Sequence, residues 1–363
     1  MAGRPRIAIL LPDLRPGGAE RMHVTLARHW LQQGVDVDFV LQRNTGELLA
    51  EVPDDATVFD MRAGRVRRIL LPLMKYLRER SPAAVLAAMW PLTVMCPLAA
   101  RICGYRGRVV VSEHAPQSLS YADRGHLHNI FMMTSMRACY PWADHRVAVS
   151  RGVAEDMSRL SGLEIDKFDV IHNPAATGRV LQRADCNLPF SCKGPLILTV
   201  GSLKKVKRHD LLIRAFALLR IPAACLVILG EGAERRKLED LARELGVGHR
   251  IHMPGFQGDP GPWYARADLF VLSSDHEGFG NVIVEALEQG TPVVCTDCPS
   301  GPREILDDGK YGALVPTDNV DALAKAMEDS LSRGHDRELL KGRARAFSVD
   351  QAAAKYLNLL LAA

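Results

Sequence analysis

Residues 196–229, LILTVGSLKKVKRHDLLIRAFALLRIPAACLVIL, decide the fold. Leu196–Val200 is an apolar run with no polar face. A basic loop follows, then apolar residues at helical spacing from His209 to Arg220, then a second apolar run, Cys225–Leu229. Strands apolar on both faces are covered by helices on both sides. Strand, helix and strand in so short a span specify a parallel pair with a right-handed crossover. Downstream the rhythm repeats: Gly230-Glu231-Gly232 opens a helix at Glu234–Leu245, and then come the strand Leu269–Ser273, the helix Asn281–Gln289 and the strand Pro292–Thr296. Upstream, Ile7–Leu11 is a strand and Pro12–Gly18 a loop. A helix from Ala19 to Gln33 is stopped by Gly34 and followed by the strand Val35–Leu41. A strand–helix pair at 83–103, the strand Val109–Ser112, and Arg146–Ser150 with the helix Gly152–Leu160 complete the first series.

Two such series predict two Rossmann-like α/β domains, and 363 residues suffice for two cores. The boundaries are expected as 1–178, 179–350, and a terminal helix in 351–363 that packs back on the first domain. Asn173-Pro174 closes one unit, and the strand-poor stretch up to 194 reads as the junction.

The composition is that of a globular protein: 47% hydrophobic, 24% charged, formal net charge +4 and mean hydropathy −0.03. The first 180 residues carry 23 basic and 18 acidic side chains, and the rest carry 23 and 24. That balance is too weak for a nucleic-acid binder, yet leaves room for a local basic patch. Eight cysteines do not make a disulfide scaffold here, and Cys225 and Cys295, inside apolar runs, read as buried thiols. Cys295 and Cys298 form a C-x-x-C without the second pair or helix N-terminus that metal or redox chemistry needs. The apolar run before Pro12-Asp13 is too short for a signal peptide, so a cytoplasmic location is expected. Ser81 to Ala100 lacks any charge and meets the length of a spanning helix. Its three prolines and many alanines favour a buried strand (Ala83–Met89), a loop at Trp90-Pro91 and a helix ending near Gly104.

Four places carry chemistry. Gly17-Gly18 lies between the first strand and first helix, where backbone N–H groups form an anion site and glycine admits a ligand closely. The G-x-G-x-x-G fingerprint is absent and no acidic residue ends the second strand, so a nicotinamide cofactor is disfavoured and none is expected. The strongest signal is Glu277-Gly278-Phe279-Gly280-Asn281-Val282-Ile283-Val284-Glu285, a glycine loop leading into a helix at the carboxyl edge of a sheet. The N–H groups of 280–282 suit a phosphate, Glu277 a sugar, and Glu285 the hydroxyls of a ribose. A loop cap and a helix-dipole residue are the plain alternatives for the two carboxylates. Gly201-Ser202-Leu203-Lys204-Lys205-Val206-Lys207-Arg208 places four cations in five positions beside a helix start, which suits a diphosphate as well as a solvated turn. His114, at a strand end in Val111-Ser112-Glu113-His114, is open to a ligand or to a structural role.

Together these residues resemble glycosyltransferase family 4, retaining enzymes with two Rossmann-like domains facing across a cleft (the GT-B fold). The resemblance is specific in the second half: V-G-S-L…K, V-I-L-G-E-G, S-S-x-x-E-G-F-G-N-V-I-V-E-A-L, G-T-P-V-V and G-x-L-V-P fall in family order. The first half matches through Gly17-Gly18-Ala19-Glu20, Ser112-x-His114, Val149-Ser150 and Asn173-Pro174. The string TDCPSGPREI at 296–305 looks like members that build surface polysaccharides or lipid-linked oligosaccharides. The resemblance implies that Glu285 holds the donor ribose and Lys207 the diphosphate. It also implies that Glu277, Gly278, Phe279, Gly280 and Asn281 hold the transferred sugar and phosphate, that Gly18 approaches the phosphate, and that His114 contacts the sugar. Ser202 departs from the arginine that the family commonly carries there, leaving Lys204, Lys205 or Arg208 to compensate.

The implied reaction moves a hexose or N-acetylhexosamine from a nucleotide-sugar, with uridine as the family default, to a glycan or polyprenyl-linked acceptor. Configuration is retained by front-face attack, with no protein nucleophile and no metal. Asp36-Val37-Asp38 is formally a D-x-D, but it alternates along a strand leading away from the site. An epimerase of the same fold and a nucleotide-sugar binder without catalysis are the rival readings. Finally, residues 62–80 carry seven cations against one anion, with Ile69, Leu70, Leu73, Met74 and Leu77 at helical spacing. Such a stripe docks on an anionic membrane or packs on the sheet, and the resemblance to polysaccharide-building enzymes favours the membrane.

Overall fold

The computed structural model describes residues 4–183, 186, 189–190 and 192–362. Two compact units result, one running to Pro174 and taking back the chain from Val349, the other Ala175–Ser348.

The first unit is a seven-stranded parallel sheet in the order β3-β2-β1-β4-β5-β6-β7. Its strands are β1 (Arg6–Leu11), β2 (Asp36–Leu41), β3 (Thr57–Asp60), β4 (Ala84–Ala88), β5 (Arg108–Glu113), β6 (His145–Ala148) and β7 (Asp169–Val170). The central strands are buried on both faces, as their unbroken apolar runs require. Helix α1 (Gly18–Gln32) ends where Gly34 takes φ +80°, a conformation that glycine adopts without strain. The uncharged segment after Ser81 becomes β4 and helix α3 (Leu92–Cys103), closed by Gly104 at φ +67°. Among the described residues no helix is long and apolar enough to cross a membrane.

Between β3 and β4 lies helix α2 (Leu70–Arg80). Ile69, Leu73, Tyr76 and Leu77 are buried in the core under the sheet, with Leu70 and Met74 packed against it. The stripe expected to meet lipid is therefore core, because one face of this parallel sheet needs that helix as its cover. Asp38 explains much of the arrangement: its buried carboxylate accepts from Tyr76 Oη at 2.7 Å and from Arg80, with Arg6 at 3.6 Å. Asp36 pairs with Arg6 at 3.0 Å. The D-x-D is thus an internal anchor of β2 to α2 and β1.

The C-terminal helix Val349–Leu361 belongs to this unit. Tyr356 packs edge-on to Trp30 of α1, and Trp30 Nε1 donates to Ala353 O at 3.3 Å. Both rings are fully buried, each contributing about 1.5–3 kcal/mol.

The second unit is a six-stranded parallel sheet, order β10-β9-β8-β11-β12-β13. It consists of β8 (Leu196–Val200), β9 (Cys225–Leu229), β10 (Ile251–Gly255), β11 (Leu269–Leu272), β12 (Val293–Thr296) and β13 (Ala313–Val315). Helix α4 (His209–Leu218) follows β8 and α5 (Asn281–Glu288) follows β11. The chain passes to this unit at Pro174 and leaves it at Ser348, not at 178 and 350. The reason is Glu288, whose carboxylate accepts from Gly178 N at 2.6 Å and Thr177 Oγ1 at 3.0 Å, while Ala176 bridges Ser348. Within the expected junction, residues 184, 185, 187, 188 and 191 lie outside the described ones.

Cys225 is not a free thiol: it is joined to Cys192 as a disulfide. Spacing gave no signal for the bond, since 33 residues separate the two and the β8–β9 crossover brings them together. Cys295 and Cys298 are buried free thiols; burial pushes Cys298 up to about 12, so neither is a ready thiolate.

Candidate functional site

The second unit builds its site at the carboxyl ends of β8 and β11. After β8 the loop 201–208 is braced from below by the glycines of Gly230-Glu231-Gly232. A Cβ on Gly230 would lie 2.0 Å from Gly201 O, and one on Gly232 2.4 Å from Leu203 O. Leu203 N in turn donates to Glu231 O at 2.9 Å. Only glycine lets these two backbones touch, so the loop holds one shape.

Of its four cations one faces inward to the expected ligand residues. Lys207 Nζ stands 2.6 Å from Glu277 Oε1, and Ser274 Oγ donates to that same oxygen at 2.6 Å. Ser273 Oγ fixes the Lys207 carbonyl at 2.9 Å. Both bonds to Glu277 fall on Oε1, which leaves Oε2 its lone pairs for a ligand hydroxyl. Arg208 is committed elsewhere: it takes φ +47° and its guanidinium pairs with Asp210, Asp275 and Asp318 at 2.8–3.1 Å. It therefore drops out as a substitute for the arginine missing at Ser202, whereas Lys204 and Lys205 are exposed.

Glu277 leads through Gly278 and Phe279 into Gly280, the N-cap of α5, at φ +103°. The N-cap residue, a glycine, has no side chain of its own to cap that terminus, and the first turn holds no carboxylate, an arrangement that suits an anion at the helix dipole. Gly301 presses on the same loop from the far side, where a Cβ would fall 1.8 Å from Phe279 O. One turn into α5, Glu285 accepts from Tyr264 Oη at 2.8 Å. Tyr264 is buried, so the hydroxyl aims the carboxylate and itself stays protonated. Tyr264 and Ser274 are site residues that sequence reading did not single out.

In the first unit Gly17 is the N-cap of α1, without a side-chain cap. The Glu20 carboxylate fills the space beside it: a Cβ on Gly17 would lie 2.2 Å from Glu20 Oε2. Burial raises the Glu20 pKa. His114, one residue beyond β5, bonds Ser112 Oγ through Nε2 at 3.2 Å, and Ser112 Oγ meets Tyr356 Oη at 3.2 Å. Its ring stands edge-on to that of His23 of α1, centroids 5.2 Å apart. Burial, with the neighbouring His23, pushes the His114 pKa well below the usual histidine range. Between Ser112 and His114, Glu113 is fully buried and accepts from Thr93 Oγ1 and Tyr140 Oη, each at 2.7 Å, and from Trp90 N and Gln117 Nε2. It pins the strand end that presents His114.

Two parallel-sheet units, with a glycine-started helix following β1 in one and β11 in the other, define an α/β protein of the Rossmann-like class. Residues 16–179 match the family described as Glycosyltransferase Family 4, and residues 187–347 match Glycosyl transferases group 1. The chain is 32% identical over 362 residues to the lipopolysaccharide core biosynthesis glycosyltransferase LpsE of Rhizobium meliloti, covering 95% of this chain and 96% of that protein. It is 34% identical over 270 residues to the N-acetylgalactosamine-N,N'-diacetylbacillosaminyl-diphospho-undecaprenol 4-alpha-N-acetylgalactosaminyltransferase of Campylobacter jejuni, covering 73% and 72%. It belongs to this family and is a glycosyltransferase. Among solved structures the lipopolysaccharide outer core galactosyltransferase WaaB superposes with TM-score 0.77 at 20% identity, covering 98% of both chains. Anabaena HepE in complex with UDP gives TM-score 0.77 at 20% identity, covering 98% of this chain and 99% of that one. Those two likenesses show the shared GT-B fold.

Proposed function

We propose that the protein transfers a hexose or N-acetylhexosamine, with retention of configuration, from a UDP-sugar to a glycan or lipid-linked acceptor in surface-polysaccharide biosynthesis. The observation that carries this reading is the Lys207–Glu277–Ser274 cluster beside the glycine-started helix α5. The leaving group is a nucleoside diphosphate, and its developing charge lowers the barrier most when fixed donors already surround it. Lys207 has three N–H groups; Glu277 takes one and the others remain for phosphate oxygens. Asn281 and the α5 terminus add the helix dipole. Glu285, aimed by Tyr264, accepts from the ribose hydroxyls, while Glu277 Oε2 accepts from the sugar. Gly17 and Gly18 admit the phosphate to the start of α1 once the Glu20 carboxylate, which fills the space beside Gly17, turns aside, and His114 contacts the sugar. With this charge in place the reaction needs no metal and no cofactor.

The acceptor class is supported by the two relatives above, whose names place them in lipopolysaccharide core assembly and on an undecaprenyl diphosphate. Any peripheral membrane contact through residues 62–80 rests on the exposed Arg62, Arg65, Arg67, Arg68, Lys75 and Arg78 and on Leu71, which is 75% exposed. An assay of UDP release from a panel of UDP-hexoses, with and without a lipopolysaccharide-core acceptor, tests the reading. Transfer gives acceptor-dependent UDP; an epimerase releases UDP without acceptor, and an inactive binder releases none.

A further inference from the structure

The second unit has a cavity at its other end. About 290 Å³ in volume, it lies between the turn 309–312 and the loop 333–336, which joins the helix Val320–Ser332 to the helix Arg337–Ala344. Val293, the first residue of β12, is part of its wall, and Gly312, which also lines it, directly precedes β13. The cavity is therefore at the amino edge of the sheet, whereas Lys207 and Glu277 belong to loops at the carboxyl edge.

Its lining combines cations with carbon surface. Val293 and Leu340 are buried and give it an apolar wall. Lys310 comes from one loop and Arg333 from the other. Lys310 Nζ is 3.7 Å from Asp307, a solvent-exposed pair that holds the ammonium only weakly. The Arg333 side chain is exposed and makes no ion pair or hydrogen bond among the described residues. Asp336 is the one carboxylate in the lining, and its Oδ1 accepts from Leu339 N at 3.0 Å to cap the helix beginning at Arg337. Beside Arg333, a Cβ on Gly334 would meet nothing within 4 Å, so the backbone there is open to a ligand.

His335 adds a polar group of the opposite sense. Its Nε2 lies 2.8 Å from Ser330 O, and a carbonyl oxygen only accepts. Nε2 therefore carries the proton, and Nδ1 of the neutral ring offers a lone pair. A lone pair repels a phosphate oxygen but accepts from a hydroxyl. Inorganic phosphate would use the cations and leave the apolar wall and His335 idle, and an apolar molecule would leave the cations unpaired. A phosphorylated sugar engages all three. The volume stands at the small end of ligand pockets, about 300–1,000 Å³, which suits a monosaccharide phosphate and is too small for a whole nucleotide-sugar. We propose that this cavity is a second binding site, for a monosaccharide phosphate. Lys310 and Arg333 pair with the phosphate, His335 Nδ1 accepts from a sugar hydroxyl, and Val293 and Leu340 meet the carbon face of the ring. The site lies wholly within the second unit, so its ligand and the donor occupy the protein together.

Calorimetric titration of the full chain tests this with glucose, galactose, mannose and N-acetylglucosamine, each as its 1-phosphate and its 6-phosphate. Inorganic phosphate and the four free sugars serve as comparisons. At least one sugar phosphate should bind saturably, about tenfold or more tighter than inorganic phosphate or its parent sugar. Its affinity should fall about tenfold in Arg333→Ala and in Lys310→Ala, both exposed positions whose truncation spares the fold. Saturating UDP, and separately Lys207→Ala, should leave it unchanged. A loss in Lys207→Ala with none in Arg333→Ala would put the phosphate on the loop 201–208 and overturn the second site. Equal affinity for inorganic phosphate, or no saturable binding of any sugar phosphate, overturns it as well. None of these outcomes touches the transferase reading, which is judged by acceptor-dependent UDP release.

Discussion

Lys207 Nζ and Glu277 Oε1 lie 2.6 Å apart, 70 residues distant in sequence, with the Lys207 carbonyl and the Glu277 carboxylate each tied to one of the adjacent serines 273 and 274. In the proposed reaction the pair holds the lysine ready for a diphosphate, so that little side-chain freedom is lost on binding. Lys207→Ala is expected to lower kcat by a factor on the order of 10²–10³, the effect of losing one preorganised transition-state donor. Lys204→Ala, at an exposed position, should stay near wild type, and saturating EDTA should leave both rates unchanged. Steady-state kinetics with UDP release as the signal checks all three; equal losses for the two lysines would sink the assignment.

Glu285 carries the ribose in this account. Glu285→Ala should raise the donor KM about tenfold or more, since a hydrogen bond to a charged group contributes about 1.5–3 kcal/mol. Tyr264→Phe keeps the carboxylate and removes the hydroxyl 2.8 Å away that aims it. Its KM should rise roughly two- to tenfold with kcat preserved. A donor titration in which Tyr264→Phe lowers kcat alone would contradict a binding role.

Acid should weaken both units through buried neutral histidines. Burial pushes His23 and His209 from the ordinary 6.5 to about 4. Above 6.5 neither folded nor unfolded histidine binds a proton, so no penalty exists. Between 6.5 and about 4 the unfolded chain binds protons that the folded chain refuses, and stability falls by about 1.4 kcal/mol per pH unit for each histidine. Below about 4 the histidine contribution levels off. Thermal denaturation across that window should show the loss, and His23→Phe should shrink it. A melting curve equally steep in the variant would mean that His23 is not the group titrating.

Membrane contact through residues 62–80, if it rests on surface arginines alone, has an electrostatic signature. The protein should co-float with anionic vesicles at low salt, with each cation near the surface contributing about 1 kcal/mol, and leave them at high salt. Changing Arg65, Arg67 and Arg68 to Glu should abolish flotation. Equal binding to neutral vesicles, or none to anionic ones at low salt, would rule out this surface.

Much of the fold was legible because parallel strands announce themselves: runs such as Leu196–Val200 and Cys225–Leu229 admit few other readings, and they are β8 and β9. The site was legible where it lies in one stretch, as from Glu277 to Glu285. It was illegible where partners meet only through packing. Tyr264 gives no sign in sequence that its hydroxyl serves Glu285, and His23 meets His114, 91 residues on, only through the packing of the first unit. Residues 62–80 show a different limit. A helical apolar stripe looks alike whether lipid or a sheet covers it, and here Ile69, Leu73 and Leu77 went to the sheet. Arg208 looked like one more cation for a phosphate until three carboxylates claimed it.

Retaining transfer from a UDP-sugar can be followed in a single reaction by proton NMR. The mixture holds enzyme, the UDP-α-linked hexose that binds most tightly, and a truncated lipopolysaccharide core as acceptor. UDP should appear in step with a new anomeric signal whose small coupling marks an α linkage, and neither should form without acceptor. A β-linked product would contradict retention, and release of UDP with no new glycosidic signal would contradict transfer itself.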